Sequence, residues 1–305
     1  MSETSPPVSS QVKFGEQIIT FLIRLAGYLS ILYVALICIF LLREGLPALT
    51  GVSISGLLRT TWYPIEGYFG ILPLIFGSLV VTIGAILIAI PLGIGTAVFI
   101  SELAPAWTKE VLKPLVEILA GIPSVVLGFV GILVLAPFLR RALNLPTGLT
   151  AFTGALLLGW AAIPTIVSVS EDALNAVPRA YREAGMALGA TPWQTIWGVT
   201  FPAARSGIIT AVMLGVGRVM GETMTVMMVT GNAPVIRASL GALFSPVRTM
   251  TATIASEMGE VANGSLHYEV LFMVGILLFL FSLAINVIAF LISSRRMKRE
   301  ERLLS

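Results

Sequence analysis

The chain has 305 residues, of which 56% are hydrophobic and 11% are charged, and its mean hydropathy is +0.95. Soluble domains carry about 25% charged residues, so this composition excludes one and indicates an integral membrane protein. The net charge of +3 does not indicate a nucleic-acid partner, because the basic residues mostly flank apolar runs. The single cysteine, Cys38, excludes an intrachain disulfide and lies in an apolar run, as a membrane-facing packing residue would.

Six apolar runs are long enough to cross a hydrocarbon core of about 30 Å as α-helices. They cover residues 18–42, 71–100, 115–139, 149–170, 206–231 and 268–293. The runs are continuous and lack a period of two, which argues against a β-barrel. No small-residue cleavage site directly follows the first run, so we interpret it as a retained span and not a signal peptide. The sequence predicts an all-α, polytopic membrane protein with six transmembrane helices.

Three of these runs contain prolines, namely Pro91, Pro123 and Pro164. Each proline removes a backbone hydrogen bond and predicts a kink, which suits a bundle that moves. The alternative is that proline is simply more frequent in membrane helices than in soluble ones.

The distribution of basic residues predicts that both termini lie in the cytoplasm. In that orientation twelve Lys and Arg residues lie inside, namely Lys13, Arg24, Lys109, Lys113, Arg179, Arg182, Arg205, Arg295, Arg296, Lys298, Arg299 and Arg302. Six lie outside, namely Arg43, Arg59, Arg140, Arg141, Arg237 and Arg248. The loop between the fourth and fifth runs is then cytoplasmic, and the long segments 43–70 and 232–267 are available to an external partner.

The polar loop between the fourth and fifth runs has the signals of two short helices. Residues 179–188 favour a helix, and Gly189 follows where a helix C′ residue adopts positive φ without a Cβ penalty. Thr191, Pro192 and Gln194 predict a second helix with an N-cap, a proline at N1 and a capping box. Pro202 then ends or bends the segment.

Such a helix pair, placed between two membrane spans, is suited to bind in a groove of another protein and to transmit that protein's movement to the spans. Its alanines permit close approach, and Glu183 is available to pair with a basic group or to cap backbone amides. The alternative is a loop helix that lies on the membrane surface.

This loop resembles the cytoplasmic loop of ABC importer membrane subunits, which carries Glu-Ala-Ala, a glycine six residues after the glutamate and a Leu-Pro-like ending. The equivalents here are Glu183, Ala184, Gly185, Gly189 and the Phe-Pro pair at 201–202. Gly185 stands in place of the third-position alanine and Phe201 in place of the leucine. The resemblance implies that the first four of these residues dock on an ATP-hydrolysing subunit.

Two charged residues, Arg218 and Glu222, lie inside the fifth run. A mid-membrane arginine costs about 2.5–3.5 kcal/mol on insertion scales, so we expect it to face the bundle interior beside a partner. Glu222 at i+4 and Thr225 at i+7 share its face of a continuous helix. This stripe suits the passage of an anion, with Glu222 neutralising or gating Arg218. The alternative is an ion pair that only locks the fifth helix to its neighbours.

Small residues near these charges predict close helix packing. Gly217 and Gly221 form a small-xxx-small pair on the fifth run, which favours contact with a second membrane subunit. Ser124 and Gly128 offer a similar surface on the third run.

Several motifs together resemble the PstC-type permease of the phosphate ABC importer. They are Trp-Tyr-Pro at 62–64, Tyr-Phe-Gly-Ile-Leu-Pro at 68–73, Gly-Ser at 77–78, Pro-Leu-Gly-Ile-Gly at 91–95, Ile-Leu-Ala-Gly-Ile-Pro-Ser-Val-Val at 118–126, Ala-Leu-Gly-Ala-Thr at 187–191, Gly-Arg-Val-Met-Gly-Glu-Thr-Met at 217–224 and Leu-His-Tyr at 266–268. The resemblance runs from about residue 60 to residue 293 and implies a type 1 permease fold. In that family the Arg and Glu of Gly-Arg-x-x-Gly-Glu-Thr are intramembrane charges associated with transport, which carries over onto Arg218 and Glu222.

The resemblance also implies a domain plan. It comprises a cytoplasmic N-terminal tail (1–17), a first transmembrane helix (18–42), a permease domain (71–293) that includes the coupling loop (171–205), and a basic cytoplasmic tail (294–305). The implied location is the bacterial inner membrane.

The implied assembly contains a PstA-type permease, two PstB-type ATP-binding subunits and an external PstS-type phosphate-binding protein. The chain has no Gly-rich, Lys-Ser/Thr nucleotide signature. We therefore expect ATP and Mg²⁺ to bind a partner subunit. We expect this chain to bind no cofactor or metal and to contain no catalytic residue. His267, the only histidine, is interpreted as an interface residue and not as a ligand.

Three alternatives remain beside this interpretation. A permease for molybdate, sulfate or phosphonate would share the same architecture. A gradient-driven anion transporter usually carries an internal repeat, and no convincing one relates the two halves of this chain. A membrane scaffold or sensor without a transport path would not require Arg218 and Glu222, whose charges are energetically unfavourable within the membrane.

Overall fold

The computed structural model describes residues 10–237 and 240–304. Within these residues the protein is mostly helical, with one antiparallel hairpin of β1 (Trp62–Tyr63) and β2 (Tyr68–Phe69). The helices are α1 (Ser10–Gly45), α2 (Ala48–Gly51), α3 (Ile54–Leu57), α4 (Leu72–Val98), α5 (Ala106–Ala120), α6 (Ser124–Val130), α7 (Ala136–Ala142), α8 (Ala151–Asn175), α9 (Arg179–Ala187), α10 (Pro192–Thr195), α11 (Phe201–Gly221), α12 (Met224–Val229), α13 (Met250–Glu257) and α14 (Leu266–Leu304).

Six helical stretches of the described chain are long and apolar enough to cross a membrane, which confirms the predicted number. We call them spans 1 to 6, and they are Ile18–Gly51, Leu72–Leu103, Ser124–Ala142, Ala151–Asn175, Pro192–Gly221 and Leu266–Ile288. Since successive spans alternate in direction, the loops fall on two sides. The α9 side carries α5, α9 and α10, and the hairpin side carries β1, β2 and the segment between spans 5 and 6.

Three π-helical turns lie within or at the ends of these spans. Phe99–Leu103 ends span 2, Gly131–Leu135 joins α6 to α7, and Ile196–Thr200 joins α10 to α11. Span 5 therefore begins in the loop at Pro192 and continues through Pro202, which occupies the second position of α11. Of the two outcomes predicted for Pro202, the end of the loop segment is wrong, because proline is tolerated in a first helical turn, and the bend stays a prediction.

The predicted third span, 115–139, is two separate helices. Helix α5 ends at Ala120, and α6 starts at Ser124 after Pro123, whose backbone is extended at φ −61° and ψ 137°. No residue of α5 is buried, and Trp107 and Ile118 are 70% and 67% exposed. Span 3 accordingly starts later than predicted and reaches Ala142.

The predicted fifth span, 206–231, is also broken. Helix α11 ends at Gly221, and Glu222 is extended at φ −70° and ψ 129° before α12 begins at Met224. Arg218 and Glu222 therefore do not share a helix face, and the predicted stripe through Thr225 is wrong as a helical feature.

Helices α4, α8 and α11 pack together at the centre of the bundle, and α8 is the most buried span. Small residues permit this approach. A Cβ added to Gly159 would lie 3.1 Å from the carbonyl oxygen of Ala85, and one added to Gly93 would lie 2.7 Å from Ile166 Cγ2. Since both distances are at or below normal contact, bulkier residues would force the helices apart.

The segment between spans 5 and 6 returns into the bundle. Helix α13 packs against α4, α12 and α14. The amide of Met250 donates to Ser78 Oγ over 2.9 Å, and the backbone of Arg248 lies directly against Gly77. This segment, predicted as an outer loop, is thus partly a structural component of the bundle.

The two ends of the chain are helical where the structure describes them. Helix α1 already runs from Ser10, and α14 extends to Leu304, so residues 10–17 and 294–304 of the predicted tails 1–17 and 294–305 continue the flanking helices. Residues 1–9 and 305 lie outside the described part. Span 1 packs along span 6 through pairs such as Phe40 and Phe272, whose ring centroids are 5.5 Å apart, and Cys38 is a half-buried free thiol.

Candidate functional site

The loop on the α9 side has the predicted helix pair. Helix α9 ends before Gly189, whose φ of +83° confirms the left-handed conformation expected of a C′ glycine. The capping box of α10 is also confirmed. The Gln194 amide donates to Thr191 Oγ1 over 3.3 Å, and the Thr191 amide donates to Gln194 Oε1 over 2.9 Å.

The four predicted docking residues are not equivalent in the structure. Glu183, Ala184 and Gly189 are exposed, and a Cβ added to Gly189 would meet no atom within 4 Å. Gly185 is buried, and its added Cβ would lie 3.3 Å from Thr195 and 3.5 Å from Val199. The first three therefore form an open surface, whereas Gly185 holds α9 against the start of span 5.

Large apolar side chains on this loop are also exposed. They are Leu188 at 89%, Trp193 at 56%, Met186 at 50% and Trp197 at 47%. An uncovered apolar patch beside a polar rim is typical of a protein interaction surface.

An ion pair between Glu102 and Arg182 lies behind this surface, and sequence reasoning missed it. Arg182 Nη2 lies 2.6 Å from Glu102 Oε1, and Arg182 Nε lies 3.2 and 3.1 Å from the two carboxylate oxygens. The same guanidinium donates to the carbonyls of Leu174 and Val177. A glutamate at the end of an apolar run was the available signal, but its partner lies 80 residues away.

Further polar contacts tie the ends of spans 2 and 4 to α5. Lys109 Nζ donates to the Ser101 carbonyl over 2.6 Å, and Lys113 Nζ lies 3.4 Å from Glu171 Oε1. Asn175 bridges the two, because it accepts from Ser101 Oγ and donates to Glu171 Oε1. The α9 side of the bundle is thus cross-linked by side chains from α5, from α9 and from the ends of spans 2 and 4.

Arg218 lies on an uncovered face of span 5. The residue is exposed, and its described hydrogen bond is the donation from Nη1 to Thr165 Oγ1 over 3.3 Å. Gly217 and Gly221 flank it, are exposed, and would accept a Cβ without meeting any atom within 4 Å. An arginine on an apolar helix requires a polar environment. Thr165 is the one described hydrogen-bond partner that this chain supplies to Arg218, so the face of span 5 around Arg218 is open to another molecule.

Glu222 bonds to the backbone and not to Arg218. Its Oε1 accepts from the amides of Thr223 at 3.1 Å and Thr225 at 3.4 Å, at the start of α12. Carboxylates stabilise helix N-termini, so the helix break and this hydrogen bonding support each other. Among the described ion pairs there is none between Arg218 and Glu222, so the pairing predicted from their spacing is wrong.

The breaks in the predicted third and fifth spans, at Pro123 and Glu222, lie side by side. Thr225 is buried, and its hydroxyl donates to the carbonyl of Ser124 over 3.0 Å. One turn further, a Cβ added to Gly128 would lie 2.5 Å from Met228 Sδ. The structure thus places Ser124 and Gly128 in contact with α12, whereas a Cβ added to Gly217 or Gly221 would meet no atom within 4 Å.

A polar cluster occupies the hairpin side, around Glu257. Arg248 Nη2 lies 2.6 Å from Glu257 Oε1, and His267 Nε2 lies 2.8 Å from Glu257 Oε2. Trp62 Nε1 donates to the same carboxylate over 3.2 Å. Glu257 of α13 thus joins β1, through Trp62, to span 6, through His267. No group of three or more metal-ligating side chains occurs among the described residues.

The transmembrane architecture and the loop on the α9 side define a class of transport protein. Residues 89–298 match the family of binding-protein-dependent transport system inner membrane components. The match covers more than half of the chain, which therefore belongs to that family. The protein is a multi-pass inner membrane component of such a system.

Individual relatives agree with this assignment. The chain is 43% identical over 265 residues to the probable ABC transporter permease protein YqgH of Bacillus subtilis, with 85% of each chain covered. It is 36% identical over 285 residues to the phosphate transport system permease protein PstC of Mesorhizobium japonicum, with 87% of this chain and 86% of the relative covered.

Solved structures show the same fold at low sequence identity. A bacterial ABC transporter involved in the import of the acidic polysaccharide alginate aligns with a TM-score of 0.58 at 15% identity, covering 93% of this chain and 99% of that chain. An inward-facing MetNI methionine ABC transporter aligns with a TM-score of 0.55 at 21% identity, covering 74% and 94%. Both likenesses support the type 1 permease fold predicted from the sequence.

Proposed function

We propose that this chain is the membrane-spanning permease subunit of an ATP-driven importer that passes inorganic phosphate by alternating access. The observation that carries the proposal is Arg218, an arginine exposed between two exposed glycines on the face of span 5. A second permease subunit that packs on Gly217 and Gly221 would enclose Arg218 in a shared pathway. The PstC relative supports phosphate as the anion.

Phosphate carries negative charge at neutral pH, and an enclosed guanidinium offers it a fork of donors. Glu222 is occupied by two backbone amides, which holds its carboxylate near the pathway without neutralising Arg218 directly. In this proposal Glu222 and Thr225 shape the pathway and Arg218 attracts the anion.

The complete transporter comprises this chain, a PstA-type permease, two PstB-type ATP-binding subunits and an external PstS-type phosphate-binding protein. ATP and Mg²⁺ bind the PstB-type subunits, and this chain carries no cofactor. One of those two subunits docks on Glu183, Ala184 and Gly189 of this chain, which are exposed beside four exposed apolar side chains. Both termini and the α9 side lie in the cytoplasm, as the twelve-to-six distribution of basic residues indicates.

Uptake into proteoliposomes that contain the four components tests the transport function. We expect accumulation of radiolabelled phosphate that requires ATP, and less inhibition by excess unlabelled molybdate, sulfate or phosphonate than by unlabelled phosphate. Equal inhibition by another oxyanion would transfer the substrate assignment to that oxyanion. Uptake driven by a gradient without ATP would replace the importer by a secondary transporter.

Paired glycine variants test the docking surface. Gly189→Trp places a bulky side chain at φ +83° on the exposed loop, and Gly264→Trp does the same at φ +75° on the hairpin side. We expect both proteins to insert, but only Gly189→Trp to lose co-purification with the ATP-binding subunit. Undiminished association of Gly189→Trp would contradict the assigned dock.

Labelling with a membrane-impermeant maleimide tests the orientation. In a Cys38→Ser background, Ile65→Cys and Leu188→Cys place single thiols at positions that are 87% and 89% exposed on opposite sides. We expect Ile65→Cys to react in intact spheroplasts and Leu188→Cys only after permeabilisation. The reverse pattern would invert the proposed orientation.

A further inference from the structure

Helix α9 presents two different faces. Glu183, Ala184 and Ala187 are exposed, whereas Gly185 is buried and the Arg182 side chain is only 20% exposed. Positions i and i+3 of a helix are neighbours, so Arg182 and Gly185 form one inward face. The surface proposed to meet the ATP-binding subunit therefore lies opposite the contacts that join α9 to the membrane spans.

The inward contact of Arg182 joins three segments of the protein. Its Nε and Nη2 bond to Glu102, within the π-helical turn that ends span 2. Nη2 also donates to the Leu174 carbonyl over 2.8 Å, in the last turn of α8, and Nη1 donates to the Val177 carbonyl over 2.7 Å. One side chain on α9 thus holds the ends of spans 2 and 4.

The geometry makes this connection stiff. Hydrogen bonds between a guanidinium and a carboxylate are roughly twice as strong as neutral ones, and the planar fork fixes their direction. The Glu102 side chain is only 9% exposed, so water screens the pair weakly. A lysine at position 182 would supply a single ammonium in place of the fork and could not reproduce the whole set of bonds.

The other attachments of α9 do not duplicate this connection. Gly185 packs on Thr195 and Val199, which belong to the start of span 5. In the part of the chain that the structure describes, the side-chain hydrogen bonds from α9 to spans 2 and 4 all come from Arg182. A push on the exposed face would otherwise tilt this nine-residue helix about its contact at Gly185.

We propose that Arg182 is a positioning residue that converts displacement of α9 into movement of spans 2 and 4. The inference rests on the proposed function, because it requires an ATP-binding subunit docked on the exposed face of α9. Arg182 touches neither the transported anion nor the nucleotide. Its loss therefore separates ATP hydrolysis from transport while the dock remains.

The test uses the complete reconstituted complex, with phosphate and ATP, and compares the wild type with Arg182→Gln, Arg182→Lys and Glu102→Gln. The readouts are co-purification of the ATP-binding subunit, the rate of ATP hydrolysis, and the phosphate taken up per ATP. We expect Arg182→Gln to retain the ATP-binding subunit and to lose uptake per ATP about tenfold, a change typical of coupling free energies. Arg182→Lys and Glu102→Gln should show smaller losses, because each retains part of the hydrogen bonding.

A matched control exists on the hairpin side. Arg248 lies at the same 2.6 Å from its partner Glu257, and its side chain is 17% exposed. We expect Arg248→Gln to lower the thermal unfolding midpoint about as much as Arg182→Gln does, but to leave uptake per ATP unchanged. Comparing Arg248→Gln with Arg182→Gln therefore distinguishes a loss of coupling between ATP hydrolysis and phosphate uptake from a loss of protein stability.

Three results would overturn the inference. They are unchanged uptake per ATP in Arg182→Gln, an equal loss in Arg248→Gln, and loss of the ATP-binding subunit from Arg182→Gln, which would make Arg182 part of the dock. If Arg182→Gln does not accumulate in the membrane, unchanged uptake per ATP in Glu102→Gln overturns it. A wild-type complex without phosphate uptake contradicts the proposed function instead, before any variant is compared.

Discussion

Two of the arginine–glutamate sets of this protein are used in opposite ways. Glu102 and Arg182 are 80 residues apart in sequence, yet they form a mostly buried, multiply bonded pair. Arg218 and Glu222 are only four residues apart, but one is exposed with a described bond to Thr165 and the other bonds to backbone amides.

The difference shows that the backbone, and not the spacing, decides which charges meet. A helix that continued past Gly221 would bring Arg218 and Glu222 onto one face, but the extended conformation of Glu222 separates them. The fully hydrogen-bonded pair of Glu102 and Arg182 stabilises a junction between segments. Arg218, which has one described hydrogen bond, leaves a charge available on the exposed face of span 5. Variants of the two sets can test this contrast.

The largest expected effect comes from Arg218→Gln. We expect phosphate uptake by the assembled complex to fall about 100-fold, equivalent to about 2.7 kcal/mol, because the variant removes the charge on the open face. The thermal unfolding midpoint should hardly change, since no described ion pair is lost. Arg43→Gln, at a residue whose side chain is 83% exposed on the hairpin side, is the control. Normal uptake by Arg218→Gln would leave Arg218 with a structural role only.

Glu102→Ala should give the largest loss of stability. Removing one partner of a buried pair costs roughly 3–5 kcal/mol, and partial exposure of Arg182 reduces our expectation to about 2 kcal/mol. Denaturant titration in detergent micelles measures the free energy of unfolding. The double variant Glu102→Ala/Arg182→Ala should be less destabilised than the sum of the single variants, because no charge is then left uncompensated. Additive effects would mean that the pair contributes no interaction energy.

Glu222→Ala should cost less, about 1 kcal/mol, because it removes only a cap at the start of α12. Glu222→Gln retains an acceptor oxygen and serves as the matched control, with a smaller expected loss. The same denaturant titration applies. A loss as large as that of Glu102→Ala would indicate that Glu222 stabilises Arg218 after all, and would remove the contrast between the two sets.

The smallest effect is expected for Thr165→Val, which keeps the side-chain shape but removes the described partner of Arg218. A partly exposed hydrogen bond contributes about 0.5 kcal/mol, so uptake should change by about twofold at most. Initial uptake rates at several phosphate concentrations provide the measurement. A loss comparable to that of Arg218→Gln would show that Thr165 holds the guanidinium in its working position.

Local signals predicted much of this structure. Continuous apolar runs identified six spans, and Thr191, Gln194 and Gly189 identified the helix pair on the α9 side. These features depend on residues within one or two turns of each other. Such short-range rules are sufficient for caps and for membrane-spanning length.

Features that depend on distant or competing interactions were missed. The Gly-Glu-Thr sequence at 221–223 contains no proline, so no proline signal predicted that the Glu222 carboxylate would bond to the backbone and interrupt the predicted fifth span, 206–231. Thr251, from the segment between spans 5 and 6, donates to the carbonyl of Glu222 over 3.2 Å and supports the break from outside its own helix. The partnership of Glu102 with Arg182 likewise exists only once spans 2 and 4 have packed.

The π-helical turn at Ile196–Thr200 sets the direction in which α10 and α9, the helices of the loop on the α9 side, leave span 5. A π turn holds one residue more than an α turn, and one residue corresponds to a rotation of about 100° about the helix axis. Rewinding the same residues as a regular α-helix would therefore turn α10, and with it α9, about a quarter of a circle relative to α11, whereas deleting the extra residue would leave their direction nearly unchanged. The angle at which the loop faces its surroundings is thus set by the winding of this one turn, independent of the side chains that the loop displays.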